Sequence, residues 1–150
     1  MGDYRKLDLW HRAHQLTLTI YRATASFPAH EQYGLVSQMR RAAFSIPMNI
    51  AEGCGRNSDS ELRRALKIAL GSAAELEYQV LLSQELAYLH PEAAHEEAEE
   101  VDHVNRMLAR LCHRIAPAAA SGRMVASNGT PVAKRGSGPA ARGRRIADSR

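Results

Sequence analysis

The stretch from Gln38 to Gly53 constrains this chain more than any other. Val36, Met39, Ala43, Ile46 and Ile50 recur three and four residues apart, which is the period of one helix face. Pro47 sits inside that stripe. Proline has no N–H and collides with the carbonyl one turn back, so the helix should bend there. The stripe runs on to Ile50, so the bend should not end the helix. Arg40, Arg41, Ser45, Asn49 and Glu52 surround it, which is more specific polar chemistry than a solvated face needs. A helix of this kind is shaped for a partner or for assembly.

Three further helical patterns flank it. The first spans Asp8 to Ser26, with Leu9, Ala13, Leu16, Ile20 and Ala23 as its stripe and Asp8 as its N-cap. The second, carrying Pro47, spans Glu31 to Glu52 and stops at Gly53-Cys54-Gly55, where glycine suits a left-handed cap. Ser58-Asp59-Ser60-Glu61 reads as a capping box. It opens a third helix running to Leu89, with Leu62, Leu66, Ala69, Ala73, Leu76, Val80 and Ala87 in register. Pro91 closes that helix and opens a fourth, to Ile115, on Val101, Val104, Leu108, Leu111 and Ile115. The fourth helix begins acidic and ends basic, which complements its dipole.

No β-period is sustained, so the fold class is all-α: an up-down-up-down four-helix bundle. The third helix also carries Ile68, Leu70, Leu81, Leu82 and Leu86 off its main stripe. One bundle core needs only one stripe, so the surplus implies self-association.

The net charge of +4 is unevenly spread. Residues 1–116 hold thirteen Lys/Arg against fifteen Asp/Glu, and residues 117–150 hold seven against one. The expected domains are therefore a slightly acidic bundle, 1–116, and a basic tail, 117–150. The tail is Ala, Gly, Ser, Pro and Arg, cannot form an apolar face, and should be disordered. Its clusters Lys134-Arg135 and Arg142-Gly143-Arg144-Arg145 favour polyanions. Two cysteines without metal spacing, no apolar leader and no apolar run of membrane-spanning length lead to the expectation of a cytoplasmic protein with reduced thiols.

Enzymatic readings are weak. Glu92-x-x-His95 and Glu100-x-x-His103 match a di-iron motif, but both lie on one helix, where an exposed acidic helix start explains them. Gly53-Cys54-Gly55-Arg56 lacks the strand and longer glycine signature of a phosphate loop. Arg56 beside Cys54 suggests a lowered thiol pKa, but no general base is placed near it. No catalytic residue, metal or cofactor is expected. Arg56, Arg63, Arg64 and Lys67 gather at the start of the third helix, where they suit phosphate contact or a solvated face.

Four stretches together resemble one family. They are Gln38 to Gly53, Leu9-Trp10-His11 through Phe27-Pro28, Glu31-Gln32-Tyr33-Gly34-Leu35, and Gly71-Ser72-Ala73-Ala74-Glu75-Leu76-Glu77. The chain from Tyr4 to Ile115 is similar to the four-helix-bundle proteins encoded in intervening sequences of bacterial 23S ribosomal RNA genes. That family includes the accessory variability determinant of diversity-generating retroelements. The resemblance implies a barrel-like homopentamer, no established enzymatic activity, and in the retroelement branch binding to nucleic acid and a reverse transcriptase. It puts Arg40, Arg41, Pro47, Asn49, Glu52, Gly53, Gly71, Ser72 and Glu75 on motif positions. These residues shape either an assembly or nucleic-acid surface, or an intramolecular network satisfying the carbonyl that Pro47 frees. Gly71 suits close helix approach. The reading is a non-catalytic oligomeric scaffold that binds nucleic acid, RNA by preference, through Arg40, Arg41, Arg56, Arg63, Arg64, Lys67 and the tail, with or without a protein partner. Its rivals are a purely structural or protein-binding bundle and a metal-binding or enzymatic one.

Overall fold

The computed structural model of the protein describes residues 2–115. The tail and its Lys134, Arg135, Arg142, Arg144 and Arg145 lie outside the described residues. Four α-helices follow one another: α1 (Asp8–Thr24), α2 (Leu35–Gly55), α3 (Asp59–Glu85) and α4 (Pro91–Arg114). Short 3-10 turns at Tyr4–Lys6 and Ala29–Glu31 precede α1 and α2, and no strand occurs among the described residues. Each helix packs on its neighbours in sequence, and α1 also packs on α4. This is the up-down-up-down bundle.

The helix stripes meet in one aliphatic core. Ala13, Ile20, Met39, Ile46, Ile50, Leu66, Leu76, Val101, Val104 and Leu108 are fully buried. α2 and α3 run antiparallel in a register fixed at three levels. Ser83 donates to the Met39 sulfur at 3.2 Å, Ser72 to Ser45 Oγ at 2.8 Å, and Gly53 faces Leu62 and Ala65.

Pro47 lies inside α2, which continues through it. Its missing N–H leaves the Ala43 carbonyl without its helical donor. Thr17 of α1 donates to that carbonyl at 3.0 Å, sharing one hydroxyl proton with the Ala13 carbonyl at 2.8 Å.

Helix ends depart from the sequence reading in several places. Leu7, not Asp8, is the N-cap of α1, and Asp8 is already helical. α1 also stops two residues short of Ser26. α2 begins at Leu35 rather than Glu31. Glu31 instead reaches forward: its Oε2 accepts the Leu35 N–H at 3.0 Å and its Oε1 accepts the Tyr88 hydroxyl at 3.1 Å. That backbone bond holds the Glu31 carboxyl below its ordinary pKa.

α2 runs on through Gly53 to Gly55, so Gly53 is not a left-handed cap but a point of close helix approach. Gly71 is the reverse: a Cβ there would meet nothing within 4 Å. α3 ends at Glu85, not Leu89, in a Schellman turn. Tyr88 N–H donates to the Ser83 carbonyl and Ala87 N–H to that of Gln84. Ala87, which periodicity put on the core stripe, is exposed at φ 58°. Ser58 accepts the Glu61 N–H as a capping box requires. The Glu61 carboxylate, however, takes the Ser58 hydroxyl instead of the backbone N–H.

Candidate functional site

The residues singled out by sequence divide among three surfaces. The first is the face of α2 and α3. On α2, Arg41, Phe44, Met48 and Glu52 fall three and four apart and all point outward, opposite the core stripe. Phe44 is 41% and Met48 51% exposed. On α3, Ile68 is 49% exposed, and it shares a groove with Asn49, Glu52, Arg56, Glu61, Arg64 and Ala65. Beneath this face lies a small polar network. Asn49, nearly buried, donates to the Ser45 carbonyl at 2.7 Å and to Ser45 Oγ at 3.0 Å. Ser72 closes the network through its 2.8 Å bond to Ser45.

The groove is charged but balanced. Arg56 pairs with Glu52 at 2.7 Å, and Glu61 and Arg64 also line it. The Arg56–Glu52 pair is exposed, so it adds little stability. The family-motif residues Asn49, Glu52, Gly53 and Ser72 therefore gather along one seam, with Pro47 behind them in the core. Gly71 and Glu75 lie exposed on α3, and Gly71 has open space above it.

Of the predicted basic residues, Arg56 and Arg64 share this groove and the others do not converge on it. Arg40 turns toward α1: Nε donates to Thr24 Oγ1 at 2.9 Å, Nη2 to the Tyr21 carbonyl at 3.2 Å, and the guanidinium lies 4.7 Å from the Tyr21 ring centroid. Arg63 turns toward α4, donating to the carbonyls of Cys112 at 3.3 Å and Ile115 at 2.8 Å. Both are committed to helix ends and packing. Arg41, Arg64 and Lys67 are exposed and form no ion pair among the described residues.

The surplus apolar residues of α3 also divide. Leu70 packs partly against the core. Leu81 lines a groove with Tyr78 and α4, away from Ile68.

A second surface escaped the sequence reading because its residues are about a hundred positions apart. The start of α1 and the end of α4 enclose a groove of about 640 Å³. Its floor is Leu7, Leu9, Met107 and Leu111; Lys6, Arg110, His113 and Arg114 are exposed at its rim, with Asp8 as the one acid.

The third surface is the acidic first half of α4. His95 and Glu99 lie 3.3 Å apart and are exposed, and no group of three metal-ligating side chains converges among the described residues. Glu97 is not part of an exposed helix start. It is 4% exposed in a cleft with Gln15, Leu16 and Thr19, and its Oε2 has no hydrogen-bond partner. Burial, reinforced by Glu96, pushes its carboxyl up to about 7. Cys54 is likewise buried, and burial raises its thiol pKa, opposite to the lowering that Arg56 suggested. No described helix is long and apolar enough to cross a membrane.

Comparison with known proteins follows this geometry. The sequence model of the 23S rRNA-intervening sequence protein matches residues 5–110. Among solved structures, the fold is similar to a crystal structure from Bacteroides thetaiotaomicron, described as a protein with unknown function from the S23 ribosomal protein family. The two share 21% identity at a TM-score of 0.63, over 69% of this chain and 97% of that one. No curated protein matches the chain.

Proposed function

Because the chain belongs to the 23S rRNA-intervening sequence protein family, we propose that it is a non-catalytic, self-assembling scaffold that binds nucleic acid, RNA by preference. The observation that carries the scaffold reading is the half-exposed apolar set Phe44, Met48 and Ile68 above the Ser45–Ser72 bond. These side chains flank a hydrogen-bonded seam, as an interface core flanks fixed polar groups. A ring is the closed form of such a head-to-tail contact, and a homopentamer is the proposed count. The cytoplasm is the proposed setting.

The RNA reading rests on charge. Residues 117–150 supply seven basic side chains against one acid. Such a segment contacts phosphates rather than base edges, so binding should be largely sequence-independent and steeply salt-dependent. Copies joined in an oligomer would act together, raising apparent affinity by on the order of 10². A protein partner such as a reverse transcriptase is compatible with this scaffold.

A second reading is favoured by Arg40 and Arg63, which are used inside the bundle. It is a protein-binding bundle that takes no RNA.

Light scattering after size exclusion and RNA-binding anisotropy on the full chain test both parts. The expected mass is about five times the 16.5 kDa chain, with RNA affinity falling steeply in salt. Truncation after Ala116 should remove most binding while leaving the oligomer intact. A monomer overturns the scaffold; a full chain that binds no RNA at low salt favours the second reading.

A further inference from the structure

We propose that the groove between the start of α1 and the end of α4 is a phosphate-binding surface of the folded body, which holds an RNA backbone. This inference rests on the RNA reading above and names the part of the bundle that carries it.

The argument begins with charge placement. The described body is net acidic, which by itself argues against polyanion binding. Its charges are nevertheless segregated along the bundle axis. α4 carries Glu92, Glu96, Glu97, Glu99, Glu100 and Asp102 in its first half and Arg106, Arg110 and Arg114 in its second. α1 runs antiparallel to α4: Leu7 and Leu9 lie with Met107 and Leu111, Arg12 meets Glu100 at 3.0 Å, and Leu16 and Thr19 lie with Glu96 and Glu97. The same antiparallel register brings Lys6, just ahead of α1, to the basic end of α4. One end of the bundle is therefore cationic although the whole is not.

Pairing sharpens the contrast. Among the described residues Arg12, Arg56 and Arg106 each find a carboxylate within 4.0 Å. Lys6, Arg110 and Arg114 find none, although Asp8 lines the same groove. Three uncompensated cations around a concave surface focus a positive potential where a phosphate chain would lie. The apolar floor of Leu7, Leu9, Met107 and Leu111 offers contact to sugars or base faces. The dipole of α4 presents its negative end here, so arginines in its last turn are expected on helix grounds alone. Lys6 is not explained that way, since it belongs to a different element and sits at the rim of the same groove.

The test uses the full chain and a 20-nucleotide single-stranded RNA, read by fluorescence anisotropy across a salt series. The Lys6→Glu, Arg110→Glu, Arg114→Glu variant should bind about tenfold or more weakly. Its salt slope should be shallower by roughly 2, as expected when three phosphate contacts on a single strand are lost. The corresponding triple glutamine variant should show the same change in smaller measure, with unchanged melting. An Arg22→Glu variant, exposed in the last turn of α1 and so at the far end of that helix from the groove, should bind within about twofold of the parent. Parent-like affinity and slope in both groove variants, with binding lost only on removal of the tail, overturns the groove and leaves the RNA reading standing. Absence of binding by the parent chain at low salt overturns the RNA reading itself, and the groove with it.

Discussion

Thr17 of α1 donates its hydroxyl to the carbonyl of Ala43, the carbonyl that Pro47 deprives of its helical donor. The contact ties a proline inside one helix to a threonine on the next. Thr17→Val keeps the shape but leaves a buried carbonyl unsatisfied, which should cost about 1–3 kcal/mol. In a Pro47→Ala background the restored N–H can bond Ala43, so the same change should cost little. A double-mutant cycle by urea unfolding should show coupling of about 1 kcal/mol or more. Additive effects would mean that Thr17 does not serve the proline.

Gly53 and Gly71 should respond to alanine with opposite signs. At Gly53 a Cβ would stand 2.9 Å from both the Ala65 Cβ and Leu62 Cδ1. The Ala65 Cβ cannot swing away, so Gly53→Ala should destabilise by about 1–3 kcal/mol. At Gly71 nothing lies within 4 Å. Gly71→Ala should therefore stabilise the helix by about 0.5–1 kcal/mol. If it instead dissolves the oligomer in light scattering, Gly71 is an intersubunit contact.

Ala87 holds a left-handed conformation, φ 58°, in the turn after α3. Its Cβ strains against the neighbouring carbonyl, and glycine removes that strain. Ala87→Gly should raise stability by about 1 kcal/mol, seen as a higher melting temperature. A lower one would show that the methyl group contributes packing worth more than the strain.

Much of the fold was legible in the sequence, because long amphipathic helices announce themselves by period. The α2 stripe from Val36 to Ile50 is buried throughout. Pro91 opens α4, and Ser58 caps α3, where expected. Helix ends were less legible. Ala87 continued the heptad of α3, but the Schellman turn at Ser83 and Tyr88 is made of backbone bonds that no side-chain pattern encodes. Gly53 and Gly71 looked alike in sequence; only the neighbouring helix distinguishes them. The site was least legible. Arg40 and Arg63 look free until α1 and α4 are placed beside them, and Lys6 meets Arg110 only through the antiparallel fold.

Glu97 makes stability fall with pH. Its folded-state carboxyl is raised to about 7 from an ordinary value of 4.5. The folded protein therefore holds a proton that the unfolded chain releases. The stabilisation is fully present below about 4.5, is lost as pH rises through about 7, and is flat beyond. Glu97→Gln keeps the neutral shape at all pH values. It should remove this slope and melt higher than the parent at pH 8, by on the order of 1–2 kcal/mol once water access to the cleft is allowed for. A parent and variant with parallel melting profiles from pH 4.5 to 8 would place the Glu97 carboxylate in contact with solvent.

Met48 and Ile68 test the assembly face directly. Both are about half exposed on the described surface, so a charge there need not disturb the core. Met48→Glu and Ile68→Glu should leave melting of the isolated bundle within about 0.5 kcal/mol, as surface substitutions usually do. In an interface the same charges would be desolvated without a partner, at a cost of several kcal/mol. Light scattering should then report smaller species at concentrations where the parent is assembled. Tyr78→Glu, in the separate α3–α4 groove, serves as the control. If that variant dissociates while Met48→Glu and Ile68→Glu assemble normally, the contact lies on the α3–α4 side. The Ser45–Ser72 seam would then serve helix register alone.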